Sequence, residues 1–571
     1  MLAVLVLAAS CVRAVPRVRD GAGPAAATPL AEGAGASTSS PKPALPARSA
    51  ISLAVERVAK SDEHAAPEIW NAYATRAFAP AWVSEDGQLG VRLDRLIEAL
   101  ASAPSHGLAA TRHDPRPLRD QIALLTQAKI SAGAAIEEQA RLDVAATSAL
   151  FRLLSDLHAG QVDPKQLGYA IDPSDRRAEV GALLEDALAA ADDELPQKIE
   201  AAAPRGFLYQ RLRAELTRYR GLASRTDLTP VHGSGKLVPG EHRAVVPQIR
   251  ALLVALGDLP SDAEAAPTSG KSASHYDTAL AQGVKHFQAR HGLAADGVIG
   301  TSTWAALAEP PAARARQLAL TLERLRWLPE LGDAPFILVN VPSYRLWVIP
   351  SAITDGEAVL TMNVVVGQAL DKQTPLLASE LTNIVFRPYW NVPKSIAEKE
   401  IAPSLVKDPN YLVTNDMELV DGWSKDAGVL DLTPERIPLL ANGSIRVRQR
   451  PGPKNSLGAV KFVFPNDESV YLHGTPMQGL FRRNRRALSH GCVRVEDPVA
   501  LATYVLREES AWTRETIVKA TSGDPNRWVE IDPPMPVLLF YATALPLPGG
   551  GLSFLDDVYG LDEPLAQAIG G

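Results

Sequence analysis

The 571-residue chain reads as a multidomain protein: an α-helical N-terminal domain, a small helical second unit, and a mostly β C-terminal domain carrying an inserted cap. Three observations predict this. From Ile51 to about Arg220 the sequence is rich in Ala, Leu, Arg and Glu with apolar residues at helical spacing. Between Val245 and Leu307 short apolar-periodic runs are punctuated by an Asp-Gly turn. After Arg326 the apolar runs become β-branched and aromatic, bounded by Pro, Gly or Asp. An apolar fraction of 46% supplies enough material for cores in all three.

Taken in order, Met1–Ser10 is apolar but lacks the positive start of a secretion signal, and residues 1–20 are read as a signal or anchor segment. Leu7-Ala8-Ala9-Ser10-Cys11 faintly resembles a lipoprotein cleavage box, with plain signal cleavage or an uncleaved anchor as the favoured alternatives. Residues 21–50 are Ala, Gly, Pro, Ser and Thr with few large apolar side chains, a composition that cannot bury a core and is expected to be a disordered linker. The helical domain is placed at 51–235, on spacings such as Val91-Leu93-Leu96-Leu100 and Leu142-Ala145-Leu150-Leu153-Leu154. Its Trp70, Trp82 and His106 are assigned to core or cap positions, the usual fate of such residues in amphipathic helices.

The second unit, 240–310, is expected to hold two or three short helices. The β domain is placed at 320–545, with Phe336–Val341, Arg345–Ile349, Val359–Val366, Asn383–Phe386 and Val460–Phe464 as strands of one sheet. Between residues 395 and 455 the pattern loosens into helical and loop sequence, expected to fold over the site as a lid. Residues 546–571 are a C-terminal extension. The net charge of −7 and pI of about 5.9 argue against nucleic-acid binding, which leaves a basic stripe. The later apolar runs are too short and proline-broken to span a membrane.

The chemistry concentrates around Cys492. The chain holds two cysteines, and if Cys11 belongs to a leader the mature protein carries a single thiol, which cannot form an internal disulfide. A thiol near its ordinary pKa is mostly protonated at neutral pH, so a cysteine nucleophile needs a positioned imidazole. Two histidines lie close in sequence. His490 falls in Ser489-His490-Gly491-Cys492-Val493-Arg494, and His473 follows Ser469-Val470-Tyr471-Leu472, which reads as a strand ending at the imidazole. His473 is the candidate base. The arginine run Phe481–Arg486 reads as a solvated loop with a substrate-carboxylate role as the alternative. Arg494, two residues past the nucleophile, is placed to bind a peptide carboxylate, to lower the thiol pKa, or to form a structural ion pair. A zinc site from His473, His490 and Cys492 fits no zinc spacing, and neither metal nor cofactor is expected.

The pattern His473-Gly474-Thr475, an arginine-rich stretch, then Ser489-His-Gly-Cys-Val-Arg494 resembles the signature of the YkuD-type L,D-transpeptidases. Thr321-Leu-Glu-Arg-Leu-Arg-Trp-Leu-Pro329, Tyr389-Trp-Asn-Val-Pro393 and Pro536–Tyr559 resemble the large YcbB-like (LdtD-like) branch of that family, and Val284–Leu307 is similar to the peptidoglycan-binding domain type 1 family, a small three-helix adaptor. The resemblance implies an α-helical scaffold domain and a YkuD-like sandwich as the catalytic domain. It implies a periplasmic enzyme that acts on peptidoglycan stem peptides and glycan beside other cell-wall synthesis enzymes, with crosslinking by acyl transfer as its activity. Some members of the branch replace the second histidine of the SHGC run, which favours His473 over His490 as the base. The resemblance also implies that the Gly474 carbonyl orients His473. Backbone N–H groups of the His490–Cys492 turn are expected to form an oxyanion hole, glycine letting the chain pass close beneath the acyl group, and Ser489, His490, Gly491 and Arg494 are taken together as oxyanion and substrate-binding residues. Two alternatives stay open: a hydrolase using the same Cys and His, and a non-catalytic wall-binding scaffold.

Overall fold

Helical spacing in the first half of the chain and two-residue alternation in the second produce the elements seen in the computed structural model, which describes residues 48–571 except 62–65, 87, 128–131, 261–272, 355–357, 371, 423–426, 524–525, 547–550 and 571. The expected leader, the linker as far as residue 47, and Cys11 lie outside the described residues.

The first region contains helices α1 (Ala50–Ser61), α2 (Pro67–Thr75), α3 (Val91–Ser102), α4 (Arg116–Gln127), α5 (Ala132–Ala159), α6 (Ser174–Ala189), α7 (Leu195–Ala201) and α8 (Phe207–Ala223). The apolar stripe of α3 behaves as its spacing requires, with Leu93, Leu96 and Leu100 buried, while Val91 in its first turn stays exposed. Trp82 and His106 are buried, the indole N–H donating to Thr147 Oγ1 (2.8 Å) and His106 Nδ1 lying 3.1 Å from the Tyr209 hydroxyl. The second unit packs α9 (Val246–Leu256), α10 (Thr278–Arg290) and α11 (Thr301–Ala308) around Ile249, Leu253, Tyr276, Val284, Phe287 and Trp304. Phe287 and Trp304 are core residues there.

The strands of the β domain begin with β1 (Phe336–Asn340), β2 (Arg345–Ile349), β3 (Leu360–Gly367) and β4 (Leu377–Phe386). The inserted segment then contributes β5 (Trp390–Asn391), β6 (Met417–Val420), β7 (Val429–Leu430) and β8 (Arg446–Gln449), and the main sheet resumes with β9 (Val460–Val463), β10 (Leu472–His473), β11 (Ala487–Ser489), β12 (Val493–Val495) and β13 (Arg527–Phe540). Among the described residues the main sheet runs β11-β3-β12-β10-β9-β4-β13-β1-β2, and β2 also pairs with β3, so the sheet rolls closed between β2 and β3 while β11 pairs farther along β3. Closure removes the unpaired edges a long open sheet would expose.

Two sequence expectations are corrected here. The strand expected over Ser469–Leu472 is shorter, because the Asn466 side chain holds both backbone groups of Val470 (2.8 and 2.9 Å) and Ser469 adopts a positive φ of 55°, leaving Leu472–His473 to pair. The insertion is more than helix and loop. It is a small α+β cap with a sheet in the order β5-β8-β6-β7 and its own core of Ile401, Leu405, Leu419, Leu440 and Val447.

Helix α12 (Pro311–Arg326) packs along α8, and one hydrophobic core continues from the helices into the rolled sheet. The α12 polar side chains make the junction. Buried Glu323 accepts from the amides of Gln161 (2.6 Å) and Val162 (3.1 Å) and from the Trp327 indole (3.3 Å), and pairs with buried Arg326 at 2.7 Å. Arg326 in turn donates to the His106 carbonyl and the Tyr209 hydroxyl. Arg324 reaches the other way, to Asp562 (2.6 Å) and the Leu561 carbonyl (2.9 Å) beside the C-terminal helix Asp562–Ile569. Removing one partner of a fully buried ion pair strands the other, at about 3–5 kcal/mol. Glu323→Ala should therefore lower the denaturation midpoint by an amount equivalent to about 3–5 kcal/mol. A change below about 1 kcal/mol would show that water replaces the carboxylate without loss.

Candidate active site

Strands β10 and β12 pair in parallel with Leu472 opposite Val493 and His473 opposite Arg494. Side chains alternate along a strand, so the buried Leu472, Val493 and Val495 point into the core and Tyr471, His473, Cys492 and Arg494 share the other face. Strand β9 runs antiparallel on the far side of β10 with Lys461 opposite His473. Lys461, His473 and Arg494 thus form one cross-strand row, and Tyr471 and Cys492 form the next. The Lys461 ammonium sits 3.8 Å from the centre of the Tyr471 ring.

His473 is buried, and its Nδ1 lies 2.5 Å from the Gly474 carbonyl. A carbonyl only accepts, so Nδ1 carries the proton and Nε2 is left with its lone pair. Burial, reinforced by the positive charges of Arg494 and Lys461, lowers the imidazole to about 3, against a weaker opposing pull from Gly474. Burial pushes the half-buried Cys492 thiol up from its ordinary value, with hydrogen bonding from Tyr471 and the charges of Lys461 and Arg494 pulling the other way. The resting pair is therefore a neutral thiol and a neutral imidazole.

The turn that presents Cys492 is held from beneath. Ser489 Oγ donates to the Cys492 carbonyl (2.6 Å) and accepts from the Gly491 amide (3.3 Å), so this side chain braces the turn and is spent on it. Gly491 has φ of +115°, where a side chain would be strained. Its carbonyl accepts from buried Thr374 Oγ1 (2.7 Å), which itself accepts from the Gly367 amide (2.9 Å). The Tyr559 hydroxyl, from the C-terminal extension, donates to the Gly367 carbonyl (2.8 Å) and accepts from the Thr374 amide (3.1 Å).

His490 points elsewhere. Its Nε2 lies 2.6 Å from Glu400 of the cap, whose carboxylate also meets Lys372 at 3.3 Å. Burial raises the Glu400 carboxyl, but the bonds from His490 and Lys372 outweigh it and hold the group below its usual range. The arginine run divides. Arg486 is buried and committed to the carbonyls of Val364, Tyr344 and Arg483 and to Asn363; Arg485 faces Asp556 at 3.6 Å; Arg482 and Arg483 are exposed. Arg494 has no carboxylate partner among the described residues. Its Nη1 lies 3.7 Å from Met477 Sδ and its Nε is buried without a partner. Among the described residues no group of three or more His, Cys, Asp or Glu is arranged to hold a metal ion. Sequence reasoning missed Lys461, Tyr471, Thr374 and Glu400. The two-residue period back from His473 would have found Tyr471, and a lone lysine between the buried residues of β9 was the signal for Lys461.

Comparison with known proteins agrees with this architecture. Residues 334–531 match the YkuD family, described as the L,D-transpeptidase catalytic domain; residues 67–216 match the family described as Scaffold domain; and residues 242–307 match the "Putative peptidoglycan binding domain" family. A Haemophilus influenzae protein named "Putative L,D-transpeptidase" is 35% identical over 255 residues, covering 44% of this chain and 49% of that protein, so the match spans about half the relative's length. A crystal structure of the L,D-transpeptidase (residues 123–326) from Xylanimonas cellulosilytica aligns at 16% identity over 54% of this chain and 98% of that one, with a TM-score of 0.16 too low to carry an argument. The chain carries, in order, a Scaffold domain, a peptidoglycan-binding domain and a YkuD-type L,D-transpeptidase catalytic domain, the last β-rich and the first two helical.

The charge state of His473 is directly testable. Its folded pKa lies below the unfolded value, so between about pH 6.5 and 3 the unfolded chain binds a proton that the folded chain refuses. This site's contribution to stability is full above that window and is lost as pH falls through it. The imidazole should be neutral at pH 5 when followed by NMR of the ring nitrogens; a midpoint near 6.5 would contradict the burial argument.

Proposed function

We propose that this chain, with its YkuD-type catalytic domain behind a scaffold and a peptidoglycan-binding domain, is an L,D-transpeptidase that crosslinks peptidoglycan at the cell wall through a Cys492 thioester. The observation that carries the reading is the β10–β12 register, which groups Cys492 with a neutral His473 whose Nδ1 is tied to Gly474. As Sγ attacks the scissile carbonyl, its proton passes to His473 Nε2. Because the imidazole is a weak base at rest, proton transfer accompanies bond formation and does not precede it. The oxyanion is met by the amide of Cys492, the Gly491 amide being turned toward Ser489. Collapse breaks the C–N bond, His473 returns the proton to the departing amine, and the thioester remains. An acceptor amine then attacks, gives its proton to His473 and releases the thiolate, which is reprotonated. His490 latches the turn to the cap and stands outside the proton path.

Incubation of the full chain with a disaccharide-tetrapeptide, followed by mass analysis, tests the reading. Crosslinked dimers are expected; tripeptide alone would mean hydrolysis, and no turnover a non-catalytic wall binder. Cys492→Ala should abolish product while folding and wall binding persist, with residual activity above a few per cent contradicting the assignment. His473→Ala should lose thioester formation and His490→Ala should retain measurable turnover; the reverse ranking would identify the other imidazole as the base.

Inhibition follows from the same chemistry. A carbapenem offers a strained amide carbonyl to the thiol, so wild-type protein should gain the mass of one molecule on the peptide containing Cys492, and Cys492→Ala should not. Unmodified wild type under conditions of active turnover would show that the site does not admit the ring.

A further inference from the structure

The two cations flanking His473 lack a carboxylate partner among the described residues. Other buried guanidiniums are satisfied, Arg290 by Asp258, Arg324 by Asp562 and Arg326 by Glu323 at 2.6, 2.6 and 2.7 Å, and Arg486 by three backbone carbonyls and Asn363. Lys461 and Arg494 are half-buried in the site and neither has a carboxylate partner among the described residues. Among the described residues the group of potential negative charge acting on both is the Cys492 thiol. A desolvated cation without an anion is unfavourable, and two beside a neutral thiol are more so. A group that arrives with the substrate must balance them.

We propose that Lys461 and Arg494 form a carboxylate subsite that holds the free C-terminal carboxylate of the residue expelled in the acylation step. The inference rests on the acyl-transfer reading above and adds its donor specificity. Its direction comes from His473. The imidazole must hand its proton to the departing nitrogen, so the leaving group lies on the His473 side of the nucleophile, and Lys461 and Arg494 bracket His473 in the same row. In a single leaving residue the α-carboxylate is two bonds from that nitrogen. The reach agrees: Arg494 is two residues beyond Cys492, about 6.6 Å along the strand, while an attack contact of about 3–3.5 Å followed by one extended residue of about 3.5 Å covers the same span. A side-chain carboxylate of the retained stem would lie across the scissile bond, away from the row. The subsite therefore selects donors that end one residue past the scissile bond in a free carboxylate and rejects amidated or longer chains.

The test uses the full chain and three synthetic tetrapeptide donors: one with a free C-terminus, one with a C-terminal carboxamide, and one with a free C-terminus but its stem side-chain carboxylate amidated. Thioester formation on Cys492 is read by intact mass. The free acid should acylate at least about thirtyfold faster than the terminal amide, the loss expected when one member of a desolvated charge pair is removed. The side-chain amide should stay within about threefold of the acid. Lys461→Met and Arg494→Gln should each collapse the acid-to-amide ratio to about threefold or less, and Lys461→Arg should restore it, which separates a charge effect from misfolding. A wild-type ratio near one, a ratio unchanged in both variants, or discrimination that follows the side-chain carboxylate would overturn the subsite. Variants that shift only the pH midpoint of Cys492 alkylation while keeping the ratio would likewise overturn it, assigning the cations to the thiol alone. Failure of every donor to acylate would instead remove the acyl-transfer reading itself.

Discussion

The site depends on the parallel pairing of two very short strands, Leu472–His473 and Val493–Val495. Because side chains alternate with a period of two, a slip of one residue would send His473 toward the core opposite Val493 or turn Cys492 away from it. Parallel neighbours cannot be joined by a tight turn, and the connection here carries the arginine run. Arg486 fixes that crossover against the backbone of β3, and β3 itself pairs with β2, β11 and β12. The sheet closes through β3, which lies beside β12, so the register of Leu472–His473 against Val493–Val495 is held by the whole barrel.

The turn that carries Cys492 is also supported from the C-terminal extension. Gly491 hangs from Thr374, Thr374 and Gly367 from the Tyr559 hydroxyl, and the Tyr559 amide donates to the hydroxyl of Tyr541, which is itself bonded to Asp557. Asp557 caps the Leu561 and Asp562 amides, and Asp562 meets Arg324 of α12. A continuous run of hydrogen bonds thus links the turn under Cys492 to the helix packed on the scaffold region. This gives the C-terminal extension a mechanical purpose, and it accounts for the dense buried charge on α12, where Glu323 and Arg326 face the helical domain while Arg324 faces the extension.

Much of this was legible in the residues. The long β-branched runs at Phe336, Arg345, Val359 and Val460 announce strands because each is long enough for alternation and burial to agree, and Cys492 following two nearby histidines points to the proposed chemistry. The remainder depends on partners distant in sequence. The two-residue strands of the cap are too short to show a period, which is why the insertion reads as helix and loop. Ser469 is lost from its strand because Asn466 intercepts Val470, a local bond that competes with the ladder. Arg486 and Arg494 look alike in sequence, yet one is satisfied by three backbone carbonyls and Asn363 while the other meets only Met477 Sδ and leaves its Nε buried without a partner. Only the fold separates an arginine that holds the scaffold from one that waits beside the thiol.

The two histidines near Cys492 are separated in the same way. His473 is buried, deprived of charge by its surroundings and bound at Nδ1 to its own strand's next carbonyl, so its free nitrogen is available to the reaction and its protonation is insulated from solvent. His490 is exposed and spends its Nε2 on Glu400, which the cap supplies and Lys372 shares. An exposed side chain that joins a turn to a neighbouring module can be exchanged for another polar group at little cost, whereas the buried imidazole has no such freedom. The inserted segment is therefore tied to the Cys492 turn through a replaceable surface contact, while His473 is fixed by the rigid sheet that carries it.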